Sequence, residues 1–182
     1  MNFVEIILLS LSLSVDTLVV SLGGSVSIGK TSPAKVLKVS LAFGIMQAAL
    51  IFLGWLLGAS VASFVHQAAH VIGFVILLYI GGSMIWSALK KSEDKVNLNG
   101  IKHLLLAAFA TSIDAFAVGV SLAMGGMELN PALSLTVSVF GMTVLAAVFG
   151  VSSGSFIGCR FGTPAKIIGG LVLIGIGIRL LL

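Results

Sequence analysis

Apolar residues run through this chain in six long segments, at roughly 3–23, 36–58, 68–88, 103–125, 131–153 and 165–182. Each is close to the ~20 residues that cross a bilayer as a helix. The segments are separated by SIGKTSPAK, KKSEDKVNLNG, MELNP and GTPAK, whose Gly, Pro, Asn and charged residues favour turns. The break near 59–67, ASVASFVHQ, is softer, having no Pro, Gly or formal charge. The pattern predicts an all-α membrane protein of six transmembrane helices.

Composition strengthens this expectation. Hydrophobic residues make up 58% of the chain and charged residues 9%, whereas a soluble domain carries about a quarter charged residues. Too little polar surface exists to cover a water-soluble globule. No separate soluble domain fits. The single cysteine, Cys159, excludes an internal disulfide and a cysteine metal cluster. The N-terminus lacks the basic region of a signal peptide and carries Glu5 instead, so it is expected to be a retained helix.

The formal charge of +4 is no nucleic-acid footprint, because the bases gather between the apolar segments. Lys30, Lys35 and Lys38 follow the first segment, Lys90, Lys91, Lys95 and Lys102 the third, and Arg160 and Lys166 the fifth. Those nine fall on one side, leaving Arg179 near the C-terminus. The positive-inside rule makes that side cytoplasmic, so both termini are expected outside the cytoplasm.

The chain also repeats itself. TSIDAFAVGVSL (111–122) aligns with LSVDTLVVSLGG (13–24) when Asp114 is laid on Asp16, a shift of 98. The FG at 140–141 matches the FG at 43–44, and IGGLVLIGIG (168–177) matches IGFVILLYIG (72–81), at shifts of 97 and 96. A repeat with an odd number of spans inserts upside down the second time, as in many secondary transporters. The expected organisation is one transmembrane domain of two inverted three-helix repeats. The first covers about 1–90 and the second about 103–182, with a cytoplasmic loop at about 90–102 between them.

The repeat singles out Asp16 and Asp114. An acid near the bilayer centre costs roughly 2.5–3.5 kcal/mol on insertion scales, and here two stand at matched places. They can share a cation, share a proton or act as a catalytic pair, or be held structurally by neighbouring hydroxyls. Ser14 and Thr17 lie near the first acid, Thr111 and Ser112 near the second. Carboxylate and hydroxyl oxygens suit hard divalent cations. A hydroxyl bonded to its own helix backbone is the simpler expectation for most single Ser and Thr residues. Gln47 offers a neutral amide oxygen, as a ligand or as an interhelical hydrogen-bond partner. Gly150, Gly154 and Gly158 form a small-residue ridge expected to serve helix packing. His66 and His70, one turn apart, are expected to be interfacial polar residues.

SVDTLVVSLG, FGIMQAALIFLGWLLG, IGGSMI, ATSIDAFAVGVSLA and the closing IGGLVLIGIG, at this spacing, resemble the bacterial manganese efflux pump family. This is a branch of the lysine-exporter superfamily of small inverted-repeat transporters, and the resemblance runs over essentially the whole chain. It implies a six-helix, multi-pass protein of the bacterial inner membrane that exports Mn²⁺ as its substrate, with no cofactor, and in which Asp16 and Asp114 match the paired acids. Two departures stand out: some relatives carry a glutamate where this chain has Gln47, and an acid where it has Lys166. The expected function is secondary-active export of a divalent cation in exchange for protons. The partners implied are the metal ion and membrane lipid, with no nucleic acid; a homo-oligomer is left open. The alternatives are export of another small solute of the superfamily, and an intramembrane aspartyl protease, which also needs two membrane aspartates.

Overall fold

The computed structural model describes residues 2–28, 32–62, 69–89, 98, 100–157, 167, 171–172 and 174–178. All of its regular structure is helical: α1 (Phe3–Ile28), α2 (Pro33–Ala62), α3 (Ala69–Leu89), α4 (Ile101–Thr111), α5 (Ile113–Met124) and α6 (Leu129–Ile157). Residues 167, 171–172 and 174–178 are helical too. Among the described residues, four stretches are long and apolar enough to span a membrane: Phe3–Ser25, Pro33–Val61, Ile101–Met124 and Leu129–Ser153.

The helix ends follow local chemistry. Proline fits the first position of α2 because the N–H it lacks has no intrahelical partner there. Ser32, just before it, accepts the Val36 N–H on its carbonyl at 3.1 Å. The helix therefore begins earlier than the apolar run at 36 suggests. The α5 end is a Schellman motif: Met127 N–H donates to Leu122 O and Gly126 N–H to Ala123 O, both at 3.0 Å. That motif needs a left-handed residue, and Gly126 supplies it with φ +80°. Lys35, Lys38 and Lys102, counted above as loop bases, lie in the first turns of α2 and α4 and are exposed.

One expectation is corrected. The segment 103–125 is not one helix: it breaks at Ser112, where φ is −100° and ψ 2°. Ser112 N–H turns to Phe109 O at 3.1 Å, a tighter i−3 bond. The Ser112 and Thr111 hydroxyls donate to Ala108 O at 2.7 and 3.1 Å, and Thr111 also reaches Ala107 O at 2.9 Å. Two adjacent hydroxyls thus occupy carbonyls of the last turn of α4, a known way to bend a helix. The matching stretch of α1 continues unbroken.

Glycines let the helices close on one another. α1 packs chiefly on α6, and α2 on α5 and α6. A Cβ on Gly54 or Gly119 would strike backbone, at Phe116 O and Ile51 O respectively. A Cβ on Gly58 would come 2.6 Å from Val120 O. Gly150 lies against α1, where a Cβ would meet Ser21 Cβ at 2.6 Å and Leu18 O at 3.0 Å. Gly154 is helical, and Gly158 lies outside the described residues, as do His66 and Cys159.

The bundle is apolar outside and holds buried polar side chains within an apolar core. Leu106, Val137 and Leu145 are 68%, 70% and 65% exposed, while Ser10, Thr17, Ser21 and Gln47 are each 0% exposed. So apolar an exterior suits lipid and not water. The chain is a multi-pass membrane protein.

Candidate functional site

Two buried apolar clusters stack inside the bundle. One contains Leu13, Ile51, Ala115, Val118 and Val139. The other contains Phe43, Ala108, Ala147 and Val151, with Val20 packed against it. A polar layer separates them. On α2, Gln47 lies one turn from Phe43 and one from Ile51; on α6, Thr143 lies one turn from Val139 and one from Ala147. Thr17 lies between Leu13 and Val20 on α1, and Ser112 between Ala108 and Ala115 where α4 gives way to α5. These four polar side chains are all 0% exposed.

Both acids border this layer, each half-buried. Asp16 is next to Thr17, and Asp114 is in the first turn of α5. The structure brings them together: their carboxyl groups are electrostatic neighbours. Asp114 Oδ1 accepts the Ala115 N–H at 2.7 Å. Its Oδ2 is buried without a hydrogen-bond partner. The N-terminal end of a helix carries positive partial charge, so the break at Ser112 gives Asp114 a supportive position. Among the described residues no third His, Cys, Asp or Glu joins the pair.

The other sequence candidates sort by their bonds. Gln47 is an interhelical clamp: Nε2 donates to Leu13 O at 2.8 Å, and Oε1 accepts from Thr17 Oγ1 at 3.0 Å. Both bonds reach the turn of α1 that carries Asp16. Ser14 donates to Leu11 O at 2.8 Å, within its own helix. Thr111 and Ser112 are likewise donors to their own backbone. Donation still leaves each hydroxyl oxygen with acceptor capacity. Thr143 was not anticipated from the sequence; in the chain it is one more Thr in an apolar helix, and only the layering of helices shows its depth.

An outer feature completes the frame. Trp55 donates Nε1–H to Met127 O at 3.0 Å and stacks on Phe52 with ring centroids 6.0 Å apart. It ties α2 to the turn after α5.

Acids that face each other within a membrane bundle mark an ion or proton pathway. The chain belongs to the family described as "Putative manganese efflux pump", which it matches over residues 30–181. It is 39% identical to the "Putative manganese efflux pump MntP" of Methanosarcina mazei over 183 residues, 100% of this chain and 96% of that protein. It is 36% identical to the protein of that name in Parabacteroides distasonis, over 100% of this chain and 97% of that one. It is 34% identical to the "Probable manganese efflux pump MntP" of an Escherichia coli strain, again over 100% and 97%. No solved structure matches. An efflux pump is a transporter and not an enzyme, which sets the aspartyl-protease alternative aside.

Proposed function

We propose that this protein exports Mn²⁺ across the bacterial inner membrane, with Asp16 and Asp114 together neutralising the ion. The observation that carries the proposal is the pairing of those two carboxyl groups at the edge of the buried polar layer. Two carboxylates balance one divalent charge, and their oxygens suit a hard cation. Thr17 and Ser112 add neutral oxygens at the same level, while Gln47 keeps the Asp16 turn in place. No phosphate-binding loop is present in the sequence, so the drive is an ion gradient or the membrane potential. Charge balance makes protons the natural exchange partner: the pair approaches neutrality with one dication or with protons, and metal binding releases protons.

Alternating access comes from two inverted three-helix repeats. Supporting this, α2 meets α5 at Gly54 and Phe116, and α6 meets α1 at Gly150 and Leu18, so the second helix of each repeat packs on the first span of the other. The distribution of bases supports an orientation with both termini outside the cytoplasm.

The test is manganese accumulation and tolerance in cells lacking their own exporter. The native chain is expected to lower cell manganese. The Asp16→Asn, Asp114→Asn double variant, expressed at equal level, is expected not to. Full export by the double variant would make the acids structural and overturn the proposal.

A further inference from the structure

Many hydroxyls among the described residues bond back to their own helix. On α6 itself, Ser134 donates to Asn130 O at 3.0 Å and Thr136 to Ala132 O at 2.8 Å. Thr143 does not: its Oγ1 is buried with no hydrogen-bond partner, and the residue is 0% exposed. A hydroxyl left unpaired in a buried site costs about 1–3 kcal/mol. Its neighbours on the helix show the cheap alternative, so the missing bond calls for a cause.

The register of α6 on α1 supplies one. Ser10 Oγ donates to Ser138 Oγ at 2.9 Å, and Gly150 sits against Leu18, Ser21 and Leu22. Numbers rise together along both helices, so α1 and α6 run parallel. Five residues beyond Ser138 is Thr143; five beyond Ser10 is Val15, between Ser14 and Asp16. Thr143 also precedes Gly150 by seven residues, which is two turns and returns it to the face that packs on α1. The two apolar clusters bracket it independently, through Val139 on one side and Ala147 on the other. Ser21 and Ser40 also carry unpaired buried hydroxyls. Ser21, however, is closed in by Gly150, and Ser40 lies two turns from Gln47, beside Val39 of the second cluster.

We infer that the Thr143 hydroxyl is a neutral oxygen ligand of the transported divalent cation, facing the Asp16 turn from α6. This rests on the export reading above and adds to it a third helix: the ion is held by α1 and α5 through charge and by α6 through a hydroxyl. Oxygen from a neutral group raises coordination without adding charge, which is how a two-carboxylate site satisfies a hard cation that takes six or more ligands.

The test uses purified protein in proteoliposomes, measuring the initial rate of Mn²⁺ transport against concentration. Thr143→Val keeps the shape and removes the oxygen; it is expected to raise KM about tenfold, the scale of one hydrogen bond to a charged group. Thr143→Ser is expected to recover most of that loss. Melting of the same proteins with and without Mn²⁺, Co²⁺, Cd²⁺ and Mg²⁺ gives a second readout, for which Thr143→Ala serves if valine mispacks. The metal-induced rise in midpoint is expected to shrink when the hydroxyl is gone. A Thr143→Val protein with native KM and a native metal-induced shift overturns the inference. If the native chain responds to another divalent ion but not to Mn²⁺, the manganese assignment fails while the Thr143 comparison is read with that ion. If it responds to no divalent ion, both fall.

Discussion

The carbonyl oxygen of Phe116 stands where a side chain on Gly54 would begin. Nothing flexible is available there to move aside, because the obstacle is backbone. Gly54→Ala must push α2 and α5 apart at their closest crossing. Overpacking of this kind costs about 1–3 kcal/mol. Thermal melting in detergent is expected to drop for Gly54→Ala and Gly119→Ala. Gly23→Ala, where an added Cβ meets nothing within 4 Å, is expected to be neutral. Equal melting of all three would show that the crossing is looser than described.

Single replacements of the acids separate charge from shape. Asp16→Asn or Asp114→Asn keeps size but leaves the ion with one uncompensated charge in a low-dielectric layer. Breaking a buried charge pair costs about 3–5 kcal/mol, so Mn²⁺ transport by either variant is expected to fall roughly a hundredfold or more. Membrane insertion is expected to be undiminished, since a membrane charge has been removed. Export within a few-fold of native by either single variant would count against a shared site.

Gln47 is expected to behave differently. Gln47→Leu preserves volume but frees Leu13 O and Thr17 Oγ1. Interhelical hydrogen bonds in membranes average about 0.6 kcal/mol, so two of them predict a loss of about 1 kcal/mol in stability. Transport is expected to fall by less than for either acid. Gln47→Glu adds a third acid to the layer and is expected to shift the preference among divalent ions. A Gln47→Leu protein as inactive as Asp16→Asn would assign Gln47 to the ion itself.

Orientation is open to a direct measurement. A C-terminal alkaline phosphatase fusion, active only outside the cytoplasm, is expected to be active. A green fluorescent fusion at the same end is expected to be dark. The opposite pair of signals would reverse the orientation drawn from the bases.

How much of this was legible in the chain varies by residue. Hydrophobic run length revealed the four membrane-capable stretches among the described residues, because a bilayer demands ~20 apolar residues per span. The matched sequence around Asp16 and Asp114 exposed the pair, since charge in an apolar run has few innocent explanations. The role of Gln47 was readable only as two options, and its bonds to Leu13 and Thr17 depend on the approach of α1 to α2. The break at Ser112 was hidden: TSID and LSVD differ little on paper, yet Thr111 stands where α1 has Leu13. One extra hydroxyl beside Ser112 gives the backbone a second competitor for its carbonyls. Thr143 was invisible because depth in a bundle is a property of several helices at once.

That break has a mechanical consequence. The two acids are chemically alike but stand on unlike mounts: Asp16 on a continuous rod braced by Gln47, Asp114 just past a joint. Amide hydrogen exchange is expected to be faster at residues 110–115 than at 12–17, and equal protection would remove the distinction. In the export proposed above, a rod and a joint facing each other across one ion would divide the labour of a transport stroke: the rod would keep the ion's position in the membrane and the joint would let the opposing wall swing, so that two similar halves need not move alike.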